Sequence, residues 1–124
     1  MYGKRLTCPP YSPTYEVTRK TIAEFNTALL VEGEIVKVTP VVAALERELF
    51  ISGYYRAMAM GEGPCVKCTE CSLEKGCSFP YQARPAMEAC GIDVYQTLKN
   101  NGVTIEVAKT YESPHRHHGV VLVE

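Results

Sequence analysis

The chain of 124 residues carries 13 Lys and Arg against 14 Asp and Glu, a formal net charge of −1, with 46% hydrophobic and 22% charged residues. These proportions suit one globular domain over residues 1–124, and the balanced charge gives no case for nucleic acid or an anionic membrane as the main partner. No apolar run approaches the length of a membrane span, and the start Met1-Tyr2-Gly3-Lys4-Arg5 lacks a hydrophobic signal segment. A reducing, cytoplasmic location is therefore expected, and there six cysteines mean metal or catalysis more often than disulfides.

Taken in order, Ser12-Pro13 reads as the cap and first residue of a helix, with Glu16 against the positive end of its dipole. Tyr15, Thr18, Ile22 and Phe25 recur at helical spacing and predict a helix over about residues 13–26. Ala28 to Val31 read as a short buried strand ending at the Gly33 turn. A second helix is capped by Thr39, started by Pro40 and stopped by Gly53. Its core stripe is Val42, Leu45 and Leu49, with Glu46, Arg47 and Glu48 facing water.

Tyr54 to Met60 predict a strand that delivers the chain into a cysteine-rich loop of about residues 61–82. Met58 and Met60 share one face of that strand, as core packing rather than soft metal ligands. After the loop, Pro85 starts a single helical turn within Ala83 to Gly91, and Asp93 caps a third helix with Gln96 at its third position. Val94 and Leu98 share one face of this helix, which Gly102 ends. Val103, Ile105 and Val107 alternate as a half-exposed strand, Val120 to Val123 supply a last one, and Thr110–His118 would join them as a hairpin. Helices between strands predict an α/β fold: a mixed sheet of about four strands with three helices on one face.

The loop carries four of the six cysteines, Cys65, Cys68, Cys71 and Cys77, spaced C-x2-C-x2-C-x5-C. Thiolates this dense repel one another and oxidise readily unless a metal takes their charge and holds their geometry. Structural zinc usually draws its ligands from two pairs separated by a longer loop, whereas C-x2-C-x2-C wraps three corners of an iron–sulfur cubane in ferredoxin fashion. The spacing therefore favours a [4Fe–4S] cluster over zinc, and a disulfide knot less than either. Its fourth ligand is either Cys77 or the distant Cys8, which precedes Pro9-Pro10. Closure by Cys77 is preferred because it needs no assumption about tertiary structure, with Cys8 held in reserve.

Other residues near the loop have candidate roles. Gly61 and Gly63 would let the backbone pass close to the cluster, where amide N–H groups can hydrogen-bond its sulfurs. A [4Fe–4S]2+ core with four thiolates has a net charge of −2, which Lys67, Lys75 and above all Arg84, whose backbone is restricted by Pro85, would balance. Cys90 reads as a packed thiol. His115, His117 and His118 flank Arg116 after Ser113-Pro114, and a solvated polar turn explains them better than a zinc or nickel site. No phosphate loop, Rossmann glycine pattern or Ser–His–Asp order is present.

Three ordered motifs, Cys8-Pro9-Pro10-Tyr11-Ser12-Pro13-Thr14, Gly63-Pro64-Cys65 through Cys77, and Ala83-Arg84-Pro85-Ala86-Met87-Glu88-Ala89 with Gly91-Ile92-Asp93-Val94, resemble a known group. Over nearly its whole length the chain resembles the predicted metal-binding proteins of domain of unknown function 2284, found mainly in anaerobic bacteria and archaea. The resemblance implies a cysteine-bound metal, foremost iron–sulfur, and matches Cys8, Cys65, Cys68, Cys71 and Cys77 to the family's recurrent cysteines. Members usually have further N-terminal sequence, often with another cysteine, before the Tyr-Gly-Lys that here follows Met1. A short form or late start, with a second metal site incomplete, is the corresponding expectation.

The function expected is that of a small [4Fe–4S] protein that carries electrons or bears a cluster for a redox partner, since four cysteine ligands leave no iron open to substrate. Exposed strand edges and a small core also suit a homodimer. The rival from another class is a structural zinc module that presents a surface to another protein. A third reading is an enzyme with Cys8 or Cys77 as nucleophile beside the cluster.

Overall fold

The computed structural model describes residues 1–33, 38–103 and 116–124. Helix α1 spans Tyr15–Ile22, strand β1 Ala28–Gly33, helix α2 Val38–Ile51, strand β2 Met58–Met60, helix α3 Val94–Asn100 and strand β3 His117–Leu122. A single 3-10 turn, Glu88–Cys90, lies between β2 and α3. The architecture is α/β, as the sequence predicts, with three helices on a three-stranded sheet among the described residues.

Among the described residues the sheet is antiparallel, where a mixed one was expected. Its order is β1-β3-β2, with Ala28 opposite Leu122, Gly33 opposite His117, Met58 opposite Leu122 and Met60 opposite Val120. The C-terminal strand takes the central place because its run Val120-Val121-Leu122 is apolar on both faces, which only a strand covered on both sides can bury. One parallel contact survives outside the strands, the bridge between Gly61 and Ala86.

The helices occupy both faces of the sheet, not one. On the first face Val121 and Ala59 pack with Val38 and Val42 of α2, and Val31, Leu45 and Leu49 lie alongside. Gly119 permits this close docking: a Cβ there would stand 2.7 Å from Val38 Cγ1 and 2.9 Å from Val42 Cγ1. On the second face Met60 and Leu122 pack with Met87 and Cys90, flanked by Phe25, Met58, Ile92 and Val94. Helix α1 lies over that side, with Val17, Thr18 and Ile22 facing Met58, Met60 and Leu122 across a small gap. Met58 and Met60 are thus core residues of one strand face, as predicted.

Local chemistry shifts several boundaries. Helix α1 is shorter than residues 13–26 and is capped by Thr14, whose Oγ1 accepts from Val17 N at 3.3 Å. The Ser12 hydroxyl donates instead to Ala89 O at 2.7 Å, a contact 77 residues away that local spacing does not reveal. The helix ends early because Asn26 and Thr27 both donate to Glu124 O, drawing the chain into the sheet. Thr39 lies inside α2 and does not cap it. Tyr54 to Ala57 form a turn, so the predicted strand shrinks to β2. Asp93 caps α3 as expected, its Oδ1 accepting from Gln96 N at 3.0 Å. The strand predicted at Val103 to Val107 lies outside the described residues beyond Val103, as does most of the Thr110–His118 hairpin; its end, His117 and His118, belongs to β3.

Candidate metal centre

The cysteine loop leaves the sheet at the end of β2 and returns at Ala86, and its two ends are tied together. Gly61 N donates to Pro85 O at 2.8 Å and Met87 N donates to Gly61 O at 3.1 Å. Gly61 has room only for hydrogen here, because a Cβ would fall 2.2 Å from Thr39 Oγ1. The next peptide is held from α2: the Thr39 hydroxyl accepts from Glu62 N at 3.1 Å and donates to Glu62 O at 3.2 Å. Glu88 then accepts from Gly63 N at 3.3 Å.

Arg84 fastens the returning limb. It meets Glu46 of α2 through Nε at 3.0 Å and Nη2 at 2.5 Å, and Nη1 donates to Pro80 O at 3.1 Å and Ala83 O at 2.7 Å. Glu46, expected to face water, is instead largely covered, because its position on α2 points toward the loop rather than away from the sheet.

Within this frame Cys65, Cys68, Cys71 and Cys77 line one cavity. All four are free thiols. Arg5, Leu6 and Thr7 of the N-terminal segment close one side of the cavity and Phe79 contributes another part of the wall. Backbone donors already face two of the sulfurs: Leu6 N points at Cys71 Sγ at 3.4 Å and Phe79 N at Cys77 Sγ at 3.3 Å. Amide N–H groups aimed at sulfur stabilise thiolate charge, and hydrogen bonds of this kind tune a bound cluster. Arg5 braces the middle of the loop, donating to Cys68 O at 2.8 Å and Thr69 O at 3.4 Å. The donor set, four thiols around one cavity with N–H groups behind them, fits a thiolate-bound metal centre.

The other sequence-predicted residues lie elsewhere. Cys8 is buried but does not line the cavity. Gly61 and Gly63 sit at the base of the loop, so the amides that reach sulfur come from Leu6 and Phe79. Arg84 is outside the cavity wall, whereas Lys67 is part of it. Cys90 is fully buried among Met60, Met87 and Leu122. Burial first, and then the Glu88 carboxylate, push its thiol up to about 11, which keeps it protonated and unsuited to metal.

His117 and His118 begin β3 rather than a solvated turn. His117 Nδ1 lies 2.8 Å from Glu62 Oε2, and His118 is buried; His115 lies outside the described residues. Among the described residues no three His, Cys, Asp or Glu side chains converge closely enough to hold a single metal ion, and no helix is long and apolar enough to cross a membrane. Arg5 and Leu6 had no signal in the sequence, because their contacts depend on the N-terminal segment crossing the loop more than 60 residues away, whereas Phe79 reaches a sulfur only two residues back, at Cys77.

A small α/β domain that gathers four loop thiols around one cavity is a cysteine-rich metal-binding protein. The chain belongs to the family described as predicted metal-binding protein (DUF2284), whose profile matches residues 1–123. No curated protein and no solved structure matches it.

Proposed function

We propose that this protein holds a [4Fe–4S] cluster on Cys65, Cys68, Cys71 and Cys77 and carries electrons for, or bears the cluster beside, a redox partner in a reducing compartment. The observation that supports this most is the shared cavity of the four thiols, with the Leu6 and Phe79 amides directed at two of the sulfurs. The spacing supports a cluster over zinc, because Cys65, Cys68 and Cys71 follow the C-x2-C-x2-C run of a ferredoxin loop and no second cysteine pair stands a longer loop away. When bound, the cluster would supply one-electron redox chemistry; the chain's own part is to hold the thiolates, direct amides at them and place Lys67 against their charge.

The test is anaerobic purification followed by iron, sulfide and zinc analysis and EPR of the reduced protein. About four irons and four sulfides per chain, a brown colour and a reduced-state EPR signal are expected. Colourless protein with one tightly held zinc overturns the proposal.

A further inference from the structure

We infer that the Thr7 hydroxyl donates a hydrogen bond to a bridging sulfide of the cluster, so that the N-terminal segment is a built part of the metal centre and helps set its reduction potential. The inference rests on the cluster reading above and adds to it a residue outside the cysteine loop. Thr7 belongs to the wall of the cavity that Cys65, Cys68, Cys71 and Cys77 share. Its Oγ1 is buried and has no hydrogen-bond partner among the described residues. A hydroxyl withdrawn from water without a partner carries its full desolvation penalty, so a donor kept in that position calls for an acceptor.

The centre itself is the source of that acceptor. The cysteine sulfurs line the same cavity, yet Thr7 donates to none of them; the donors that reach sulfur there are the Leu6 and Phe79 amides. The nearby carbonyls of Cys68 and Thr69 accept from Arg5 instead. A zinc ion with thiolate ligands adds no acceptor to this set, whereas a cubane brings inorganic sulfides that accept hydrogen bonds. The backbone holds Thr7 in place. Cys8 N donates to Arg5 O at 3.0 Å, which makes Leu6 and Thr7 the middle of a turn, and Gly3 N donates to Pro9 O at 2.8 Å across its flank. The residue before Thr7 already meets Cys71 Sγ, and the residue after it, Cys8, is buried. Thr18 is the comparison: its Oγ1 is also buried without a partner, but it lines the gap toward Met58, Met60 and Leu122, where no loop cysteine stands. Reduction adds one negative charge to a cluster, so a donor at its sulfur stabilises the reduced form more than the oxidised one and raises the potential.

The test is a potentiometric titration of the full metal-loaded chain, purified anaerobically and followed by visible absorption and EPR, on the parent, Thr7→Val, Thr7→Ser and Thr18→Val. Valine keeps the branched shape of threonine and removes only the hydroxyl. Thr7→Val should lower the reduced-to-oxidised ratio at a fixed potential by about threefold or more, a downward shift of about 28 mV for one electron. Thr7→Ser, which keeps the donor, should recover most of that shift, and Thr18→Val should show none. Deuterium ENDOR of the reduced protein in D2O should lose one exchangeable coupling in Thr7→Val, a signal that a merely structural threonine would not carry. Iron–sulfur-loaded Thr7→Val with the potential and the deuterium couplings of the parent overturns the assignment and leaves the cluster reading standing. A Thr7→Ser protein that matches Thr7→Val, or an equal shift in Thr18→Val, overturns it as well. Zinc in place of iron and sulfide overturns the cluster and the Thr7 assignment together.

Discussion

Arg84 and Glu46 meet as a two-pronged ion pair, Nη2 to Oε1 at 2.5 Å and Nε to Oε2 at 3.0 Å, with both side chains more than four-fifths covered. Glu46 Oε2 also accepts from Ala59 N at 2.6 Å, so one carboxylate joins α2, the β2 edge and the end of the cysteine loop. Forked guanidinium–carboxylate contacts are the stronger kind, and removing one partner strands the other charge under cover. Glu46→Ala should cost about 3 kcal/mol of unfolding free energy and Arg84→Ala a similar amount, with less metal retained in each. The exposed Arg56–Glu24 pair sets the comparison: Glu24→Ala should cost less than about 1 kcal/mol. Urea titrations of the three variants check this, and equal small losses at both pairs would refute the role given to Glu46.

The four loop thiols should be unequal to the other two. Serine at Cys65, Cys68, Cys71 or Cys77 is expected to remove most of the bound iron and sulfide, because each thiol lines the cavity. Serine at Cys8 or Cys90, which do not line it, should leave metal content near that of the parent. Metal analysis of the six variants decides the matter, and a Cys8→Ser protein that loses its cluster while Cys77→Ser keeps it would reassign the fourth ligand.

Gly61 has a sterically defined neighbour. In Gly61→Ala the new methyl would press on Thr39 Oγ1, Cβ and Cγ2 at 2.2, 2.8 and 2.9 Å. Thr39 is stiff at χ1, and its hydroxyl is bound on both sides by the Glu62 peptide. A loss of about 1–3 kcal/mol is expected from overpacking, read by thermal or urea unfolding. A variant as stable as the parent would mean the loop base can shift freely.

Cys90 gives a pH dependence whose sign is determined. Its folded-state pKa, about 11, lies above the ordinary 9.0. Between those values the unfolded chain releases the proton and the folded chain keeps it. Stability from this group is therefore full below pH 9.0 and falls as pH rises toward 11, by at most about 1.4 kcal/mol per pH unit. Cys90→Ala should lower the baseline by leaving a void yet flatten this slope. Urea unfolding of both proteins across the alkaline window checks it; parallel slopes would remove Cys90 as the cause.

Asp93 caps α3 through Gln96 N. Asp93→Ala should cost about 1 kcal/mol and Asp93→Asn much less, because asparagine can still accept that hydrogen bond. Equal losses in the two variants would mean that charge, not capping, is what α3 needs.

The elements legible in the sequence were those whose signals are local. Asp93 with Gln96, the Val42–Leu45–Leu49 stripe before Gly53, and the Met58/Met60 alternation each act within a few residues, and each appears where expected. The cysteine spacing was equally local, so the sequence alone grouped Cys65, Cys68 and Cys71 and left the fourth place between Cys77, preferred, and Cys8; that Cys77 and not Cys8 shares their cavity is a tertiary fact. Tertiary packing alone decided the rest. It made β3 the central strand and put helices on both faces, since pairing order depends on which strand can be buried on both sides. It turned Glu46 inward to Arg84, moved Ser12 from a helix cap to Ala89, and brought Arg5 and Leu6 across to Cys68 and Cys71. Such contacts join residues dozens of positions apart, and a hydrogen bond or charge pair leaves no periodic trace along the chain.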